Sequence, residues 1–171
     1  MNASQIHLAL NHVPLFLSIT GGLILLYGFI RKAPHLKLFS LYFLISAALF
    51  TIPVYLTGEG TEEMVEELPG ISEGLIGKHE ALARIGLIVI IITGVVALVT
   101  LLIKKNLALL KVQLILCAFL SFISFGVMAQ TAHLGGQIRH SEIRHSAILS
   151  AENKNGASGE DEKDQKREKE D

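Results

Sequence analysis

The amino-acid sequence predicts an all-α integral membrane protein that folds as a bundle of four transmembrane helices. Half of the 171 residues are hydrophobic, and they are collected in blocks instead of being spread with the periodicity of a soluble domain. Four stretches contain no Asp, Glu, Lys or Arg: Val13–Ile30, Leu38–Leu56, Ile85–Ile103 and Val112–Leu134. Each is close to the roughly 20 residues that a helix needs to cross about 30 Å of hydrocarbon.

The first span is predicted at about residues 12–31. Asn11 is a suitable N-cap, and Pro14 is tolerated because the first helical turn has spare amide groups. No Lys or Arg precedes the span, and Arg31-Lys32 follows it without a small-residue cleavage pattern. We therefore expect this segment to remain in the protein as a helix and not to be removed as a signal peptide.

The remaining spans are predicted at about residues 37–56, 81–103 and 107–132. Thr57-Gly58-Glu59-Gly60 predicts a turn into an acidic loop after the second span. Gly135-Gly136 favours either an interruption of the last helix or a close approach of its backbone to a ligand. Residues 1–149 then form the membrane domain, and the charged, low-complexity segment 150–171 is predicted to be a disordered tail.

Charge segregation predicts the orientation of the bundle. The link between the first two spans carries Arg31, Lys32 and Lys37 without an acidic residue, whereas residues 57–80 contain seven Glu and one Lys. Basic residues in short loops remain cytoplasmic. We expect both termini and the acidic loop to lie outside, on a multi-pass protein of a bacterial inner (plasma) membrane.

Six of the seven histidines collect on the predicted outer side, and the exception is His35. For His7, His35 and His145 the ordinary interpretation is a hydrogen bond in the headgroup region. Five residues of one regular helix would separate His7 and His12 by about 140°, so the two would share a site only if the chain bends between them.

A second set of histidines favours a shared site. His12, His79 and His133 stand near the ends of three spans at similar depth, with His140 within reach. Polar side chains at the edge of apolar spans are costly unless they are satisfied, which favours a functional role for this set.

Four short segments resemble a known family. "IHLALNHVPLFL", with His7, His12 and Pro14, is similar to the opening His-Pro-x-x-x-His-Phe-Pro pattern of the bacterial membrane family named domain of unknown function 2231. "YLTGEGTEE", "HEALA" from His79, and "HLGGQIRH" with Gly135, Gly136 and His140 resemble its other motifs.

The resemblance covers roughly residues 5–145 and leaves the tail out. The chain departs from the pattern at Leu8, which replaces the first proline, and at Arg139-His140-Ser141, which lacks the usual Tyr and Gly. Some relatives in the family are attached to or encoded beside cytochrome c-like domains. The resemblance thus implies a role in electron transfer, with a c-type cytochrome or another protein as the redox partner.

The first functional hypothesis is a b-type haem held by two imidazoles, because haem iron takes axial nitrogen donors and a helical bundle supplies an apolar slot. His12 and His79 are the preferred pair, with His133 and His140 as rivals. Arg84 or Arg139 would pair with the propionates. The protein would then be an electron carrier or a membrane subunit more than a stand-alone enzyme.

Two alternatives stay open. One is a zinc or copper site formed by His12, His79 and His133, with Glu59 as a further ligand. The other is a non-catalytic accessory subunit of a membrane complex, whose histidines only hydrogen-bond loops. The sequence contains no arrangement of nucleophile, base and orienting group for hydrolysis, and nothing in it favours nucleic-acid binding.

Overall fold

The computed structural model describes residues 2–66, 72–102 and 106–139, and this part of the chain is helical without strands. Its helices are α1 (Ala3–Leu10), α2 (Val13–Ile30), α3 (Pro34–Glu66), α4 (Glu73–Leu102) and α5 (Leu107–Arg139). Four helical stretches are long and apolar enough to cross a membrane: Ala3–Ile30, Pro34–Thr61, Glu73–Leu102 and Leu107–Ile138. The predicted four-helix membrane fold is confirmed. The predicted disordered tail, 150–171, lies outside the described residues.

The N-terminal segment forms a short helix that the span prediction did not include. Helix α1 begins with a capping box in which the backbone amide of Gln5 donates to Asn2 Oδ1 (2.9 Å) and the amide of Asn2 donates to Gln5 Oε1 (3.2 Å). Asn11 and His12 separate α1 from α2. The regular helix is therefore interrupted between His7 and His12, and α1 packs along the C-terminal part of α3.

Helices α3 and α5 run further than the charge-free stretches predicted. The expected turn at residues 57–60 is wrong, because α3 stays helical to Glu66. Thr57 Oγ1 donates to the carbonyl of Pro53 at 2.7 Å, so its hydroxyl bonds within the helix. Helix α5 likewise continues through Gly135-Gly136 to Arg139. One glycine costs a helix interior only about 1 kcal/mol, which packing against neighbouring helices offsets.

Small residues and interhelical hydrogen bonds hold the bundle together. Helix α2 packs between α3 and α5, and α4 packs on the same two helices from the other side. A Cβ at Gly94 would overlap Ala48 of α3, which marks a close helix–helix approach. Thr93 Oγ1 and Ser124 Oγ are hydrogen-bonded at 2.9 Å between α4 and α5. Close backbone approach and hydroxyl pairs are typical of helix packing in membranes.

The outer surface of the bundle is apolar. Leu25, Leu41 and Leu44 are fully buried in the core, whereas Phe16 and Phe119 are 61% and 64% exposed. Exposed large apolar side chains around all the long helices are expected where lipid, not water, surrounds the protein. The packing therefore indicates a bilayer environment.

Candidate functional site

His7, on α1, is tied to the backbone of a neighbouring helix. Its half-buried ring places Nδ1 2.9 Å from the carbonyl oxygen of Val54 on α3. A carbonyl oxygen can only accept a hydrogen bond, so Nδ1 carries the hydrogen and donates it. In the neutral imidazole, Nε2 then keeps a free lone pair and can act as an acceptor or a ligand.

His79, on α4, repeats this arrangement on α5. Its ring is also half-buried, and its Nδ1 lies 2.9 Å from the carbonyl oxygen of Thr131. The same reasoning assigns the hydrogen to Nδ1 and leaves a lone pair on Nε2. Two imidazoles from different helices therefore have the same tautomer for the same physical reason.

A glycine follows each carbonyl acceptor by four residues. Gly58 stands four residues after Val54, and a Cβ there would lie 3.6 Å from His7 Cε1. Gly135 stands four residues after Thr131, and a Cβ there would lie only 3.1 Å from His79 Cε1. The imidazole of His79 thus approaches α5 as closely as it does because residue 135 has no side chain.

The two rings belong to one region of the bundle. His7 and His79 lie within electrostatic range of each other. Both are at the end of the bundle where α3 ends and α4 begins. We call these two residues the histidine pair.

The other histidines named from the sequence occupy different positions. His12 is exposed, pairs through Nδ1 with the side-chain oxygen of its neighbour Asn11, and stacks on Phe16 with the ring centres 6.5 Å apart. His133 is exposed, and its Nε2 is 2.9 Å from the side-chain amide nitrogen of Gln137 on the same helix. His140 lies outside the described residues.

The predicted charged partners are on the surface. Arg84 forms an ion pair with Glu80 at 2.6 Å, one helical turn away, and Glu59 is exposed. The side chain of Arg139 lies outside the described part of the chain. Across residues 2–66, 72–102 and 106–139, no three side chains of His, Cys, Asp or Glu gather closely enough to hold a metal ion.

The sequence analysis placed His79 in the predicted shared site and left His7 out of it. The ordinary interpretation of His7 assumed an isolated residue on a segment before the first span. The available signals were the two glycines: Gly58 was interpreted as part of a turn, and Gly135 as a break or a site of close approach. Comparison of the chain with protein-family models, curated proteins and solved structures finds no match.

Proposed function

We propose that the protein binds b-type haem through His7 and His79 and carries electrons in a membrane. The observation that supports this proposal is the shared tautomer of the histidine pair. Each Nδ1–H is donated to a backbone carbonyl, at 2.9 Å in both cases. Histidines that ligate metals commonly donate their other ring N–H in this way, which fixes the ring and leaves Nε2 for the metal.

The donor set fits the group. Haem iron in six-coordinate electron-transfer sites takes two axial donors, and imidazole nitrogen is a common one. His7 and His79 would hold the haem, and the group would supply one-electron transfer when bound. The chain's own contribution would be to orient the two rings through Val54 and Thr131 and to hold them at the edge of the apolar bundle. In this proposal His7 takes the role that the sequence first suggested for His12.

The family resemblance supports the same residues. The four segments that resemble domain of unknown function 2231 are those that carry His7, Gly58, His79 and Gly135. In the structure these residues form two ring–glycine contacts between helices. Membership of that family is part of the proposal. The family's motifs lie far apart in the chain, and they would be expected to occur together where their residues build one site.

The proposal also includes an orientation. Basic residues retained in cytoplasmic loops would put Arg31, Lys32 and Lys37 inside. The histidine pair would then face the outer side of a bacterial inner membrane, within reach of a c-type cytochrome or another redox partner.

The orientation is tested with single reporter cysteines. A cysteine at Ala3 should react with a membrane-impermeant thiol reagent in intact cells. A cysteine at Leu107, which is 79% exposed, should react only after the membrane is opened. The native Cys117 is fully buried and should contribute no background. The reverse pattern of labelling would overturn the orientation.

An absorption spectrum tests the cofactor. The full-length protein, purified in detergent from haem-replete cells, should show a Soret band that shifts on reduction with dithionite. His7→Asn and His79→Asn should each lose this band. The asparagine amide nitrogen can stand close to the position of Nδ1 and still donate to the carbonyl, but it supplies no Nε2. His12→Asn and His133→Asn are matched controls that should keep the band.

Three results would overturn the proposal. Full haem content in His7→Asn would remove that residue from the site. Stoichiometric zinc or copper without a Soret band would favour a metal site instead. A colourless, metal-free wild-type protein would favour an accessory subunit, in which the two N–H groups only tie helices together.

A further inference from the structure

A cavity of about 290 Å³ lies at the opposite end of the bundle from the histidine pair. It lies where α2 ends and where α3 and α5 begin. Its lining includes Phe29, Lys37, Leu38, Leu110, Lys111 and Leu114. Leu114 is 4% exposed, so the cavity reaches from the surface into the apolar core.

Lys37 is held at this cavity. Its stem lies against Gly28, where an added Cβ would be 2.9 Å from Lys37 Cγ. Its ammonium lies 5.2 Å from the centre of the Phe29 ring, a cation–π distance. Packing on two sides therefore orients the Lys37 side chain, and the residue is half-buried.

Within the described part of the chain, no carboxylate forms an ion pair with either lysine of the cavity. Among the side chains that the structure describes, the one ion pair is Arg84–Glu80, on a different part of the bundle. Lys111 is exposed on the first turns of α5. The cavity thus combines two positive charges at its edge with apolar walls below them.

We propose that this cavity binds the headgroup of an anionic phospholipid from the surrounding bilayer. A phosphate would meet Lys37 and Lys111, and the acyl chains would continue along exposed apolar side chains such as Leu38 and Leu107, which are 39% and 79% exposed. Basic sites between transmembrane helices recognise anionic headgroups in this way. A volume of about 290 Å³ is at the small end of ligand sites and suits a headgroup, not a whole lipid.

The test uses the full-length protein reconstituted in bilayers of phosphatidylglycerol and phosphatidylcholine with identical acyl chains. Native mass spectrometry of the protein, released into detergent, measures how often each lipid stays bound. We expect a preference for phosphatidylglycerol that falls about fivefold in Lys37→Gln and in Lys111→Gln, and about 25-fold in the double variant. Lys78→Gln is the matched control and should keep the preference. Lys78 is an exposed lysine near the start of α4, at the end of the bundle that holds the histidine pair.

A second variant distinguishes a seated lipid from general attraction to a basic surface. Leu110→Trp fills the cavity and leaves both lysines in place, and it should also abolish the preference. The inference is overturned if Leu110→Trp binds phosphatidylglycerol like the wild type, or if Lys78→Gln weakens binding as much as the cavity variants. Thermal unfolding in detergent verifies that each variant is folded. This site is independent of the haem proposal, because none of its residues contacts the histidine pair.

Discussion

Replacing Gly135 with alanine tests whether the His79 ring is held against α5. An added Cβ would lie 3.1 Å from His79 Cε1 and 3.4 Å from Nδ1. The first distance is tighter than ordinary carbon contacts, so the ring would have to move by a few tenths of an ångström. Such a shift stretches the hydrogen bond to Thr131, which is 2.9 Å long.

The expected magnitude follows from two opposing terms. Alanine in place of glycine in a helix interior stabilises by about 1 kcal/mol. Displacing the ring from its packed position and weakening its hydrogen bond together cost about 1 kcal/mol. The two terms nearly cancel, so Gly135→Ala should leave the free energy of unfolding almost unchanged. At Gly58 the nearest ring atom would be 3.6 Å away, an ordinary contact, and Gly58→Ala should keep the full gain of about 1 kcal/mol.

The assay is reversible unfolding of the full-length protein in mixed micelles by titration with dodecyl sulfate, followed by circular dichroism. The comparison of the two alanine variants cancels effects common to both sites. Equal stabilisation by Gly135→Ala and Gly58→Ala would refute the reasoning, because it would mean that the His79 ring does not occupy the space beside residue 135.

Two further predictions concern the bundle, with the same unfolding assay. Gly94→Ala should destabilise by about 1–3 kcal/mol because its Cβ would overlap Ala48. Gly126→Ala is the control, since a Cβ there meets nothing within 4 Å. It should leave the unfolding free energy unchanged or raise it. If Gly126→Ala lowers the unfolding free energy as much as Gly94→Ala does, the result contradicts the packing. Thr93→Val should cost about 0.6 kcal/mol by removing the hydrogen bond to Ser124, and an unchanged unfolding free energy would argue against that bond.

The number and position of the spans could be predicted because lipid imposes a simple condition on the chain. A charge-free stretch of about 20 residues satisfies that condition whatever its neighbours are. The ends of the helices could not be predicted in the same way. Beyond Leu56 and Leu134 the chain leaves the charge-free stretches, and there helix length depends on contacts such as that of α1 with α3. Glycine signals were therefore over-interpreted as helix ends.

The site could be predicted only in part, for a related reason. His79 stands at the start of a span, where its depth can be estimated from the sequence. The position of His7 depends on the break at Asn11-His12 and on how α1 docks, which are properties of the tertiary structure. The sequence favours His12 because it is closer to the first span. In the structure, however, the side chain of His12 is exposed.

The two opposing free-energy terms at Gly135 bear on whether the His79 ring contributes to stability or to function. Glycine at this helical position costs about as much as the hydrogen bond to Thr131 contributes. An alanine at 135 without the bond would give a bundle of similar stability, so stability alone does not account for the arrangement. What it does supply is an imidazole fixed in one tautomer, with Nε2 free. If that is its use, His79→Asn should abolish haem binding while leaving the unfolding free energy of the haem-free protein nearly the same as that of the haem-free wild type. A variant that kept its haem, or that lost much of its stability, would show that the ring serves the fold instead.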